Sequence, residues 1–162
     1  MSLGSDATLQ RIRACVLQAQ LAVREVEHLP TATSEQSAHA RGEPLHIGAK
    51  ALLLKTDDVF RLFVLQADEK LDSAAVKNEL HLKKLRFATP EELFELTGLV
   101  PGSVPPFGQP VLPFKLFADS TIGSREDKVA FNAGSLTRSM IMTATAWKQL
   151  AQPQEFRFAK KD

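Results

Sequence analysis

Cysteine is almost missing: Cys15 is the only one among 162 residues. One thiol excludes an internal disulfide framework and a thiolate zinc cluster. Cys15 lies in the first expected helix with no histidine near it in sequence, so it reads as packing and not as a nucleophile. Long apolar runs are missing too. No stretch approaches the roughly 20 residues a membrane helix needs, and the N-terminus lacks the basic and apolar regions of a secretory signal. A cytoplasmic protein with no membrane partner is expected. Charge of one sign is also lacking, because 20 Lys+Arg against 19 Asp+Glu leave a net charge of +1, which does not announce a nucleic-acid binder and gives no reason to expect DNA as a partner. There is no glycine-rich dinucleotide motif, no P-loop and no GxSxG elbow. His28, His39, His46 and His81 form no HExxH pair and have no cysteine partners, so neither a metal nor another cofactor is expected.

What is present is an ordinary globular composition, 44% hydrophobic and 24% charged, which argues against wholesale disorder. The length suits one hydrophobic core. With no repeat, low-complexity run or long linker, the reading is a single domain over residues 6–162. Residues 1–5 (MSLGS) read as a leader set apart from it.

Leu9, Ile12, Val16, Ala19, Val23 and Val26 recur at gaps of three and four, which predicts one long helix capped by Asp6. Its later part, AVREVEH over 22–28, reads equally well as a strand. Thr33 and Gln36 form a capping-box pattern for a second helix that stops at Gly42. IGAKALLLK (47–55), the turn Thr56-Asp57-Asp58 and VFRLFVLQ (59–66) read as a hairpin of two buried strands. Asp72 caps a helix over 73–80, and LKKLRFA (82–88) reads as a strand. Thr89-Pro90-Glu91-Glu92 starts the clearest helix, which Gly98 ends. Five prolines between 101 and 113 then exclude helix and specify a stiff loop. Strands are expected over 111–117, 129–132 and 136–142, followed by a helix capped by Thr145 and running to Leu150. The mixture is α+β.

Lys50 is the unusual residue of the first hairpin strand, since alternation puts it on one face with Leu52 and Leu54. An ammonium there either snorkels to water or faces a polar pocket. Lys55, beside the turn, is expected in solvent. In the segment GLVPGSVPPFG (98–108), glycines allow close backbone approach while prolines restrict which amides can donate. Gly102, Ser103 and Val104 keep N–H groups, whereas Pro105 and Pro106 have none, so a carbonyl or oxyanion site fits here; a plain proline-rich connector is the alternative. Asn132-Ala133-Gly134-Ser135 reads as a tight turn that is compatible with lining a pocket. Lys77, Lys83, Lys84 and Arg86 cluster, and Lys160 and Lys161 end the chain. Lys83, Lys84 and Arg86 are candidate phosphate contacts, with solvated surface charge as the alternative.

Taken in order, AVREVEH, TATSEQSA, GAKALLLK, FATPEELFELTGLVPGSVPPFG, VAFNAGS and a terminal helix resemble the YbaK/ProX family of aminoacyl-tRNA editing domains, which includes the editing insertion of bacterial prolyl-tRNA synthetases. The resemblance covers residues 22–150, and its most specific piece is the glycine- and proline-rich loop after the TPEE helix. It implies a single α+β domain with a mixed, mostly antiparallel sheet flanked by helices, and it turns 22–28 into a strand. It implies a trans-acting deacylase that hydrolyses a small mischarged amino acid (alanine, cysteine, serine or threonine) from tRNA, with tRNA(Pro) favoured. The partners it implies are the acceptor end of aminoacyl-tRNA and prolyl-tRNA synthetase. Lys50 and Gly102 become the catalytic candidates, and Ser103, Val104, Pro105, Pro106, Phe107, Gly108, Asn132, Ala133, Gly134 and Ser135 the substrate-binding ones. A ribose hydroxyl or the substrate's own side chain assists the ester hydrolysis in such proteins, with no Ser-His-Asp triad.

Two departures bear on specificity. In alanine-specific ProX proteins the lysine is commonly followed by asparagine and the later strand carries a histidine; here those positions hold Ala51 and Asn132. YbaK itself, which acts on cysteinyl-tRNA(Pro), usually has a more glycine-rich loop. A non-catalytic tRNA- or synthetase-binding relative and a small-molecule binder of the same architecture are the competing readings.

Overall fold

A computed structural model describes residues 2–161. Helix α1 (Asp6–Ala19) starts where the Ser5 hydroxyl accepts from the Thr8 amide at 3.2 Å, one residue before the expected Asp6 cap. Leu9, Ile12 and Val16 bury its apolar stripe. The expected continuation to Val26 does not occur. Gln20 turns left-handed (φ 55°) and its amide closes on the Leu17 and Val16 carbonyls, after which Arg24–Glu27 form strand β1. Periodicity persisted across this break because Val26 packs in a strand against Ile47, Ala130 and Ile141, and not on a helix face. Leu3 and Ser5 are hydrogen-bonded to the turn after Asn132: Leu136 N–H donates to the Leu3 carbonyl at 2.7 Å and Ser5 N–H to the Gly134 carbonyl at 2.8 Å.

Helix α2 (Ser34–Arg41) has the expected Thr33 cap and Gly42 stop. Strands β2 (Ala49–Thr56) and β3 (Val59–Gln66) form the hairpin, and β4 (Glu69–Leu71) follows. Then come α3 (Ser73–Leu80), β5 (Leu85–Phe87) and α4 (Pro90–Thr97). In α4 the capping box is complete: Thr89 Oγ1 accepts from Glu92 N, and Glu92 Oε1 accepts from Thr89 N. Beyond the proline loop lie β6 (Leu116–Asp119), β7 (Val129–Asn132), β8 (Arg138–Met142), α5 (Ala144–Ala151), β9 (Gln154–Phe156) and β10 (Ala159–Lys161). Of the strand expected over 111–117 only Leu116 and Phe117 belong to β6, which runs on to Asp119, because Leu112 N–H turns back to the Gly108 carbonyl. The cap of α5 is Thr143, and Thr145 instead hydrogen-bonds Asp127.

Among the described residues the strands form three sheets. The largest has the order β5-β2-β3-β6-β9, antiparallel through β5, β2 and β3 and parallel from β3 to β9. The second is antiparallel, β1-β8-β7, and β4 pairs with β10 in a short ribbon. Both faces of β3 are buried, which is why its sequence is continuously apolar. Leu62 and Val64 point into the main core with Ile12, Phe131 and Trp147, while Phe63 and Leu65 point into a second core with Phe117 and Phe158. Phe63 stacks on Phe117 at 5.1 Å and meets Phe158 edge-on at 5.5 Å. Gly48, just before β2, bridges Ala130 of β7 and so joins the two larger sheets beside a cleft.

Candidate active site

The cleft has a volume of about 210 Å³ and lies between the start of α2, the start of β2, the Gly102 turn and the end of β7. Lys50, Ala51, Gly102, Val104 and Asn132 line it, together with Arg41. Lys50 is half-buried at its wall, and its strand parity is as expected, with Leu52 and Leu54 belonging to the second core.

The Gly102 turn is shaped by its own backbone. Gly102 has φ +87°, a left-handed value that costs a residue with a Cβ roughly 1–2 kcal/mol. Ser103 N–H donates to the Val100 carbonyl at 3.0 Å, and the buried Ser103 hydroxyl both accepts from Val100 N and donates to Val100 O. Ser103 therefore closes the turn and is not a free donor, which reduces the expected three amides to two. The Gly102 and Val104 amides have no hydrogen-bond partner among the described residues. Proline spacing shows which amides exist, but not which of them the turn consumes.

The rest of the loop faces inward. Phe107 is buried edge-on against Phe131 at 5.4 Å, and Pro106 O accepts from the Trp147 indole at 2.9 Å. Phe107 N–H closes on the Pro105 carbonyl, and a Cβ on Gly108 would stand 2.5 Å from Phe114 O. Pro105, Pro106, Phe107 and Gly108 thus fasten the loop to the core and do not line the cleft.

Asn132 is buried and fully engaged. Its Nδ2 donates to the Gly102 carbonyl at 2.7 Å, while its Oδ1 accepts from Arg41 Nη2 at 3.0 Å and lies 3.1 Å from Ser139 Oγ. The three residues after it diverge from the cleft. Ala133 N–H pairs with Arg138 O, Gly134 (φ +76°) packs on Thr8, and Ser135 Oγ meets Thr137 at 3.0 Å. Their place is against the start of α1. The basic candidates stand elsewhere too: Arg86 makes two bonds to Glu92 at 2.8 and 2.9 Å, and the Lys83 and Lys84 amides hold Asp57 Oδ1. None of the three lines the cleft.

Sequence reasoning missed the polar floor of the cleft. Arg41, 8% exposed, donates from Nε to Ser139 Oγ at 2.9 Å in addition to its bond to Asn132. Burial lowers its pKa to about 10, partly offset by the charge of Glu43, so it remains a cation at neutral pH. His28 Nδ1 meets the Leu29 carbonyl and Nε2 meets Ser139 Oγ, both at 2.8 Å. Thr31 and Ser37 share a buried hydroxyl contact of 2.8 Å. Ser34, Ser37 and Arg41 recur at i, i+3 and i+7 on α2, a polar stripe of helical period that turns out to face the cleft. Among the described residues no cluster of three or more His, Cys, Asp or Glu side chains is placed to hold a metal.

The family model of the aminoacyl-tRNA editing domain matches residues 28–150. The chain belongs to this family. It is 35% identical over 165 aligned positions to the multifunctional Ser/Thr-tRNA deacylase ProXp-y of Escherichia coli (strain K12), covering 99% of this chain and 97% of that protein. A proline–tRNA ligase of Shouchella clausii is 36% identical over 94 positions, 58% of this chain but 16% of the ligase. Among solved structures, a putative trans-editing enzyme for prolyl-tRNA synthetase superposes with a TM-score of 0.80 at 25% identity, covering 96% of this chain and 98% of that one. No helix among the described residues is long and apolar enough to cross a membrane.

Proposed function

We propose that this editing domain acts in trans as an aminoacyl-tRNA deacylase on a small mischarged amino acid, with serine and threonine first and alanine and cysteine next. The observation that carries the reading is that one cleft is lined by Lys50 and by Gly102 and Val104, whose amides have no partner among the described residues, in a chain matched along almost its whole length by a Ser/Thr-tRNA deacylase. Working in the cytoplasm on tRNA(Pro), free or beside prolyl-tRNA synthetase, is the setting that fits the ligase relatives.

Hydrolysis of the aminoacyl ester places negative charge on the carbonyl oxygen as water adds to the carbonyl carbon. The intermediate then collapses, and the ribose oxygen leaves with a proton. Two fixed N–H donors aimed at the developing oxyanion stabilise this path more than they stabilise the ester itself. Gly102 and Val104 supply those donors, and Lys50 supplies a cation that orients the tRNA end. Asn132 holds the Gly102 carbonyl, so the adjoining peptides cannot rotate away from the substrate. Thr31 and Ser37 give the cleft hydroxyl groups suited to a hydroxylated side chain, and a site built to hydrogen-bond such a group discriminates better than a purely apolar pocket.

Single-turnover deacylation of Ser-tRNA and Thr-tRNA by the wild type and Lys50→Ala tests the assignment. Loss of turnover in the variant with its melting temperature unchanged is expected; full activity in the variant removes Lys50 from the mechanism.

A further inference from the structure

Arg41 is a buried cation of the cleft with no ion pair of its own: Glu43, whose charge partly offsets its burial, is paired instead with Arg24 and Lys128. No carboxylate among the described residues comes within ion-pair distance of it, and its two internal hydrogen bonds go to the neutral groups Ser139 Oγ and Asn132 Oδ1. A desolvated cation whose direct hydrogen-bond acceptors are all neutral is one that an anion in contact with it would stabilise further. The guanidinium also has an unused edge. Nε and Nη2 are engaged, whereas Nη1 has no partner among the described residues. No sealed side-chain nitrogen or oxygen among them lacks a partner, so Nη1 opens onto accessible space, and the space Arg41 lines is the cleft. Nη1 lies by Gly48, where an added Cβ would sit 3.8 Å from it, adjacent in sequence to the strand that carries Lys50.

We infer that Arg41 is a substrate-contacting residue whose Nη1 edge hydrogen-bonds a non-bridging oxygen of the phosphodiester linked to the terminal nucleoside of the tRNA. A planar guanidinium already fixed by two internal bonds presents its remaining donors without further loss of side-chain freedom, which is the arrangement in which arginine recognises phosphate best. The described residues lining the cleft include no Asp or Glu, so nothing among them repels a phosphate there. The same side chain thereby ties two parts of the site together, since the nitrogen beside the anion-binding edge holds Asn132, and Asn132 holds Gly102. This inference rests on the deacylase reading only for the identity of the nucleic acid; the anion site stands on Arg41 alone.

The test compares the binding of adenosine 5′-monophosphate and adenosine, which differ only in the phosphate, to wild type, Arg41→Lys and Arg41→Gln. Wild type is expected to prefer the monophosphate by about ten-fold or more at low salt, with the preference reduced in Arg41→Lys and abolished in Arg41→Gln. Taking the ratio of the two affinities cancels any general damage from loss of the bonds to Ser139 and Asn132. Equal affinity of wild type for both ligands overturns the inference, and so does a ratio unchanged in Arg41→Gln. If Arg41→Gln does not fold, the wild-type ratio and its decline with added salt decide the matter. Phosphate preference without deacylation of any aminoacyl-tRNA leaves the anion site standing and overturns the proposed function; deacylation without phosphate preference does the reverse.

Discussion

Asn132 donates a 2.7 Å hydrogen bond from Nδ2 to the Gly102 carbonyl across 30 residues of chain. The amide group cannot flip, because Oδ1 is already the acceptor for Arg41 Nη2. A buried side chain on the second sheet therefore tethers the turn that carries the two amides without a partner among the described residues. Asn132→Ala leaves Arg41 short of an acceptor and is expected to cost about 1–3 kcal/mol of stability. Asn132→Asp keeps an acceptor for Arg41 but replaces the donor with an anion facing a carbonyl. It is expected to melt near the wild type while losing deacylation, mainly in kcat. Equal activity in Asn132→Asp and wild type would show that the tether does not matter.

Gly102 provides a second test. At φ +87° an alanine is strained by roughly 1–2 kcal/mol, and its Cβ would press on Leu136 Cδ2 at 3.3 Å. Gly102→Ala is expected to lose about that much stability but at least ten-fold in kcat/KM if its amide is the donor proposed above, since small misplacements of such a donor are costly. Chemical denaturation and deacylation kinetics on the same preparation separate the two losses.

Acid stability is expected to depend on Asp119, a buried carboxylate in β6. Burial pushes its pKa up, but the Thr121 hydroxyl and the Phe158, Ala159 and Thr121 amides outweigh this and hold it below the usual carboxylate range. Arg157 Nη1 adds an ion pair at 2.8 Å. A depressed folded pKa means that the stabilisation is complete above the unfolded value, about 3.9, and is lost as pH falls through the lower folded one. Asp119→Asn is therefore expected to be less stable than wild type at pH 7, with the gap closing below about pH 4. Melting curves from pH 7 to pH 2 check this; a gap that stayed constant would show that the charge of Asp119 is not what stabilises the fold.

Much of this architecture was legible in the sequence wherever one local force dominates. The capping box at Thr89 and Glu92, the Thr33 and Asp72 caps and the hairpin turn each carry their own hydrogen-bonding logic, and each stands where expected. The errors came where tertiary contacts decide. Val23 and Val26 continue a helical period, yet β8 recruits that stretch as a strand. Strands β4, β9 and β10 are three residues long and exist only through their partners. At the site, Lys50, Gly102, Val104 and Asn132 converge on one cleft as expected. Pro105 to Gly108 are substrate-binding candidates on the resemblance alone, and they lie outside the cleft lining, fastened to the core through Trp147 and Phe131. Arg41 escaped notice because an arginine at the end of an eight-residue helix resembles a C-terminal solvent charge until the fold shows what covers it.

The most direct measurement is the first-order rate of ester loss from tRNA(Pro) charged separately with serine, threonine, alanine and cysteine, with proline as the cognate control, with and without the protein. Accelerated loss of at least one small mischarged residue, serine or threonine foremost, is expected, with proline spared. Loss at the uncatalysed rate for every charged tRNA would contradict the proposed function.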